Sequence, residues 1–172
     1  IYNAMNADMI AELSAAAAEL AAYDTVRVVV LTGAGDSFCA GGDLGWMQEQ
    51  MAADGPTRAA EAGRLAGALG ALNALPKPVI GRIQGQAFGG GIGLMAVCDV
   101  AIGVQGAKFG LTETRLGLIP ATIGPYVLAR MGEAMARRVF MSARLFDADE
   151  AVTLGLLAQA VAPDALDAAI EA

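Results

Sequence analysis

The chain has 172 residues, of which 56% are hydrophobic and 17% charged, and its net charge is −7. The length fits a single domain over residues 1–172, and the composition excludes intrinsic disorder. Eleven scattered basic residues argue against a nucleic-acid partner. No apolar run reaches the roughly 18 residues of a membrane span, which argues against a membrane protein.

Two residue types limit the chemistry further. Cys39 and Cys98 give no disulfide framework, which favours a cytoplasmic compartment. The chain has no histidine, so Ser-His-Asp and Cys-His nucleophiles are excluded, and we expect no metal site. Acid–base chemistry must then come from Asp, Glu, Lys, Tyr or Cys.

The predicted elements alternate between helix and strand along the chain. Apolar spacing predicts a helix over 7–22, and β-branched runs predict short strands. Asp147 and Glu150 form a capping-box pair, and Gly155 ends the helix that they begin. Strands are predicted at 26–32, 79–83, 99–103, 107–110 and 157–161, and a loop at 51–57. One further helix is predicted to end before the prolines at 76–78, and others at 92–98, 122–131 and 133–142 and beginning at Asp164. This order predicts an α/β fold with mostly parallel strands.

Two loops rich in small residues leave predicted strands: "FCAGGD" at 38–43 and "AFGGGIG" at 87–93. Glycines at a helix start cost stability but leave backbone N–H groups open to a ligand. Two such loops that face each other would form an oxyanion hole. The alternative is that these loops are tight turns with close helix–strand packing. The residues alone support the two interpretations equally. A dinucleotide site at "GAGDSF" is disfavoured because Phe38 stands where a third small residue is needed.

Four blocks in this order resemble the crotonase, or enoyl-CoA hydratase/isomerase, superfamily: "FCAGGDL", "PKPVIGRIQGQAFGGGIGLMAVCDVAI", "AKFGLTETRLGLIP" and "ARLFDADEAVTLGLLAQAV". The resemblance implies a spiral of ββα units. It also implies an acyl-CoA thioester substrate, with coenzyme A entering as part of that substrate and no separate cofactor. Family members are longer and assemble as trimers or dimers of trimers, so we expect a core domain truncated at both ends, with the trimerisation helices absent from this chain.

The resemblance also implies a set of site residues. Ala40 and Gly90 would donate their N–H groups to the thioester oxygen, and residues Ala40, Gly41, Gly42 and Asp43 would contact the acyl-CoA. Family hydratases use two glutamates. One matches Glu113 here, whereas the position of the other is Gly93, which would leave space beside the β-carbon of a branched substrate.

The predicted activity is therefore hydration of a 2-enoyl-CoA. A single-glutamate enoyl-CoA isomerase and a catalytically silent acyl-CoA-binding homologue remain alternatives. Trp46, Met47 and "TETRLGLIPATIGPYV" most resemble the bacterial 3-methylglutaconyl-CoA hydratase-like branch. The distal carboxylate of such a substrate would need a cation, for which Arg58, Arg64, Arg82 and Arg115 are the candidates.

Overall fold

The computed structural model describes residues 1–172 and has two four-stranded sheets joined by eight α-helices. The strands are β1 Val29–Thr32, β2 Ser37–Cys39, β3 Val79–Ile83, β4 Gln86–Phe88, β5 Val100–Val104, β6 Lys108–Gly110, β7 Leu145–Asp147 and β8 Gln159–Val161. The helices are α1 Ala7–Ala22, α2 Leu44–Ala52, α3 Gly55–Asn73, α4 Gly90–Ala96, α5 Gly124–Met131, α6 Glu133–Phe140, α7 Ala148–Thr153 and α8 Leu166–Glu171.

From β1 to β6, consecutive strands join alternate sheets, which produces the predicted spiral; β7 then adds to the second sheet and β8 to the first. One sheet has the order β1-β3-β5-β8 and is entirely parallel. The other has the order β2-β4-β6-β7, in which only the β6–β7 pair is antiparallel. Helices return the chain to the first sheet after the pairs β1–β2 and β3–β4, whereas the helices after β5–β6 lead to β7 of the second sheet. The α/β spiral of ββα units is confirmed.

The hydrophobic core lies between the sheets and their covering helices. Ile10 of α1, Leu69 of α3 and Ile92 of α4 are fully buried in it. Phe109 and Phe146 pack with their ring centroids 6.0 Å apart, which ties β6 to β7. None of the helices combines the length and the apolar character needed to cross a lipid bilayer.

Most predicted elements appear with small shifts at their ends, and the helix at 7–22 and the strand at 79–83 are exact. The predicted loop at 51–57 is wrong, because α2 continues to Ala52 and α3 begins at Gly55. Asp54 caps α3 there by accepting the N–H of Thr57 at 2.8 Å.

The predicted capping box at α7 is half formed. Asp147 accepts the N–H of Glu150 at 2.9 Å, as expected of an N-cap. The Glu150 carboxylate does not return to the cap and instead accepts two hydrogen bonds from the Arg144 guanidinium, at 2.7 and 2.5 Å. A bidentate ionic pair is the stronger interaction, which explains the difference. Gly155 follows the helix end with φ +78°, as predicted.

Candidate active site

The two glycine-containing loops meet at one cavity of about 420 Å³. The first loop follows β2, and the second connects β4 to α4. β2 and β4 are neighbouring parallel strands, so both loops leave the same edge of the sheet. A Cβ placed on Gly41 would lie 2.9 Å from the carbonyl oxygen of Phe88 and 3.7 Å from the nitrogen of Gly90. The loops therefore pack backbone against backbone, which is possible only without side chains.

The N–H groups of the first loop have different partners. The N–H of Ala40 donates to the carbonyl oxygen of Tyr2 at 3.0 Å, so the prediction that Ala40 offers a free donor is wrong. The N–H of Gly41 points to the Cys39 sulfur at 3.4 Å. Gly42 has no acceptor for its N–H in the protein, and Gly42 lines the cavity.

The start of α4 provides the second open donor. Gly90 is the first residue of this helix, and the N–H of such a residue has no acceptor within the helix. Gly90 also lines the cavity, as the sequence predicted. Gly42 and Gly90 thus place two open backbone donors in the lining of one cavity.

Glu113 lies in the same cavity, in a 3-10 turn at 113–116 that follows β6. Its Oε1 is 3.2 Å from where a Cβ on Gly89 would stand. Gly89 has φ +47°, a conformation that glycine adopts readily. The carboxyl therefore packs directly against the loop that carries the Gly90 donor.

The environment of Glu113 is that of an acid–base group. Its Oε2 is buried and has no hydrogen-bond partner. Burial raises the pKa of the Glu113 carboxyl above its ordinary value. Arg58 is the other charged residue of the lining, and no ion pair in the chain includes Glu113.

Two predicted site residues do not line the cavity. Asp43 is the N-cap of α2, and its side chain accepts a hydrogen bond from the backbone N–H of Trp46 at 3.0 Å. Gly93 is buried within α4, and a Cβ placed there would lie 2.3 Å from the Cγ2 methyl of Ile123. The prediction that Gly93 leaves space for a branched substrate is therefore wrong, because Ile123 fills that space.

Helix α2, which together with α3 lines one part of the cavity, was not predicted from the sequence. Asp43 followed by apolar residues at 44, 47 and 51 is a helix-start signal that could have revealed it. The indole N–H of Trp46 donates to Glu61 at 3.4 Å, which ties α2 to α3. The two helices contribute Leu44, Trp46, Met47, Gln50, Met51, Arg58, Ala62 and Leu65.

The cavity can bind a ligand that is largely apolar and carries one hydrogen-bond-accepting oxygen. More than half of its lining residues are hydrophobic, which is typical of small-molecule sites. Two backbone donors and one carboxyl of raised pKa converge on it. This is the geometry of an enolate-stabilising site with a single acid–base group.

Comparisons with known proteins agree with this geometry. The chain is 36% identical to the enoyl-CoA hydratase ACTT6 of Alternaria alternata, covering 96% of this chain and 54% of that protein. The crystal structure of an enoyl-CoA hydratase from Shewanella pealeana superposes with a TM-score of 0.93 at 39% identity, over 96% of this chain and 62% of that one. Pseudomonas aeruginosa AtuE superposes with a TM-score of 0.95 at 40% identity, over 99% of this chain and 66% of that one.

The chain thus spans between about half and two thirds of the length of these relatives. The sequence model of the Enoyl-CoA hydratase/isomerase family matches residues 1–171, almost the whole chain. The chain therefore belongs to the enoyl-CoA hydratase/isomerase family.

Proposed function

We propose that the protein catalyses the reversible hydration of a 2-enoyl-CoA. The observation that carries this proposal is the Glu113 carboxyl, half-buried and unpaired, in the same cavity as the open N–H groups of Gly42 and Gly90. Coenzyme A enters as part of the substrate, and the chemistry requires no separate cofactor. Relatives named enoyl-CoA hydratase support the reaction type.

In the proposed reaction, the thioester oxygen accepts hydrogen bonds from Gly42 and Gly90. The oxygen of a water molecule bonds to C3, and Glu113 takes one of its protons. The electrons of the C2–C3 double bond move to the thioester oxygen and form an enolate. Glu113 then returns the proton to C2 and the carbonyl reforms, so that one water has been added across the bond. Each oxyanion donor of this kind contributes roughly 10²–10³ in rate.

A panel of 2-enoyl-CoA thioesters tests the proposal. Loss of the conjugated enoyl absorbance and a 3-hydroxy product that contains one ¹⁸O from labelled water are expected. Product without label, with the double bond moved, would replace the proposal by the isomerase alternative. Binding of acyl-CoA without any turnover would instead support the alternative of a catalytically silent acyl-CoA-binding protein.

The isomerase remains the second candidate for a specific reason. Glu113 is the one carboxyl among the lining residues, and moving a double bond requires only one group that takes a proton from C2 and returns it at C4. A hydratase with one carboxyl needs another group to hold the water.

A branched, 3-methylglutaconyl-CoA-like substrate is the narrower proposal. Gly93 does not support it, since Ile123 occupies the space. Its support is now Arg58, which lines the cavity and takes part in no side-chain hydrogen bond or ion pair. The other candidate cations are engaged elsewhere: Arg64 with Glu61, Arg82 with Asp167 and Arg115 with the carbonyl of Ala143. Comparing 3-methylglutaconyl-CoA with 3-methylcrotonyl-CoA, which lacks the carboxylate, tests this substrate.

We also propose a homotrimer or dimer of trimers in a cytoplasmic compartment. The support for assembly is a group of large apolar side chains left in water, including Ile119 and Met141, which are 74% and 77% exposed. The support for a reducing compartment is that both cysteines are buried and unpaired. Light scattering at micromolar concentration should give a trimer or hexamer mass, and a monomer mass would contradict the assembly.

A further inference from the structure

The chain contains two buried side-chain oxygens without any hydrogen-bond partner, Oε2 of Glu113 and Oε1 of Gln50. Both residues line the same cavity, although they are 63 positions apart in the sequence and lie on different elements, α2 and the 3-10 turn after β6. A buried acceptor without a donor is unfavourable, and folded proteins keep few of them. Their coincidence at one cavity indicates that a bound molecule supplies the missing donors.

No donor of the protein forms a hydrogen bond with Oε1 of Gln50. Its neighbours one turn away on α2 are Trp46 and Met47, and the indole N–H of Trp46 is already given to Glu61. Met47 lies against the first loop, with its sulfur 3.0 Å from where a Cβ on Gly42 would stand. Gln50 is therefore about one helical turn, roughly 5 Å along the axis, beyond the residue that flanks Gly42.

The hydration reaction needs a group that holds the attacking water. The water that adds to C3 has two hydrogens, and only one of them passes to Glu113. A second carboxyl cannot come from position 93, because any side chain there meets Ile123. An acceptor for the second hydrogen then comes from another element. Among the lining side chains, Gln50 is the one besides Glu113 that has a buried oxygen without a partner.

We propose that Gln50 is a water-positioning residue, whose Oε1 accepts a hydrogen bond first from the attacking water and then from the 3-hydroxyl group of the product. This inference rests on the proposed hydratase function. Gln50 exchanges no proton. It holds the oxygen of the water toward C3 while Glu113 carries the proton from that oxygen to C2.

The test compares two reactions of the same site in Gln50→Leu. Hydration of crotonyl-CoA needs the water, whereas exchange of the C2 protons of hexanoyl-CoA for deuterium in D₂O needs only Glu113 and the backbone donors. Gln50→Leu should lower kcat for hydration about 10- to 100-fold, because the attacking water is no longer positioned toward C3. Deuterium exchange and the Kd of hexanoyl-CoA should stay within twofold of the wild type.

Two further variants complete the test. Gln48→Leu removes an exposed glutamine from the same helix and should leave both reactions unchanged. Gln50→Glu restores an acceptor and should retain more hydration than Gln50→Leu. Hydration within twofold of the wild type in Gln50→Leu would overturn the inference, as would an equal fall in hydration and exchange. A wild-type protein that exchanges protons but hydrates no enoyl-CoA would instead overturn the proposed function.

Discussion

The Cγ2 methyl of Ile123 occupies the place where a side chain of residue 93 would begin, only 2.3 Å from an ideal Cβ on Gly93. Ile123 lines the cavity, and Gly93 lies behind it in α4. The absence of a second glutamate is therefore linked to the filling of its position by an aliphatic side chain. A single substitution at residue 93 cannot restore a two-carboxyl site.

The first prediction concerns this contact. Gly93→Ala should lower the free energy of unfolding by about 1–2 kcal/mol, because overpacking of a buried site outweighs the gain of about 1 kcal/mol in helix propensity. Urea denaturation measures the change. Gly63→Ala is the matched control, since it lies in α3 and a Cβ there meets nothing within 4 Å. That control should stabilise the protein by up to about 1 kcal/mol. Equal effects at the two positions would contradict the packing explanation.

The second prediction concerns the acid–base group. Glu113→Gln keeps the size of the side chain but cannot exchange a proton at neutral pH. It should lower kcat by roughly 10²–10⁴, with the Kd of a saturated acyl-CoA largely retained. Glu49→Gln, an exposed acid on α2, is the control and should have wild-type kinetics. Normal turnover by the Glu113 variant would show that Glu113 is only a loop acid.

The third prediction is the pH dependence of hydration. Burial raises the pKa of Glu113, and the reaction starts from its ionised form. The value of kcat/KM should therefore fall as the pH drops through this raised pKa, at a higher pH than for an ordinary glutamate. The raised pKa of Glu113 also affects stability, because the folded state binds this proton more tightly than the unfolded state. Glu113 thus disfavours folding above its folded-state pKa. Glu113→Gln should remove that penalty, so its stability at neutral pH should equal or exceed that of the wild type.

The fourth prediction concerns the thiols. Burial raises the pKa of both cysteines, that of Cys98 to about 12. Since the thiolate is the reactive form, neither thiol should react with a disulfide reagent in the native protein at pH 8. Both should react after unfolding in guanidinium chloride. Rapid reaction of either thiol in the native state would contradict the burial of that cysteine.

Short β-branched strands separated by helical patterns predicted the α/β fold with mostly parallel strands, and the family resemblance implied the spiral. The resemblance also implied roles for Gly90 and Glu113, and both residues line the cavity. The free donor in the first loop could not be predicted. It depends on the hydrogen bond between Ala40 and Tyr2, two residues joined only by the fold.

The space at Gly93 was predicted wrongly for the same physical reason. A glycine in the sequence indicates a missing side chain but does not tell what fills the vacated volume. Here the filling comes from Ile123, 30 positions away. Gln50 was also out of reach of sequence reasoning, because its only distinguishing feature is an unpaired oxygen in the folded state.

The last prediction separates two roles for Asp43. The resemblance suggested that Asp43 contacts the substrate, whereas the structure has its Oδ1 accepting the Trp46 N–H at 3.0 Å as the N-cap of α2. Asparagine caps helices as well as aspartate does, but alanine does not. Asp43→Asn should therefore keep nearly wild-type stability and kcat, and Asp43→Ala should cost about 1 kcal/mol of unfolding free energy. Because α2 carries Gln50, Asp43→Ala should also lower hydration more than deuterium exchange at C2 of a saturated acyl-CoA. If Asp43→Asn instead raises the Kd for acyl-CoA tenfold or more while its stability is unchanged, the carboxylate acts on the substrate and the capping role is secondary.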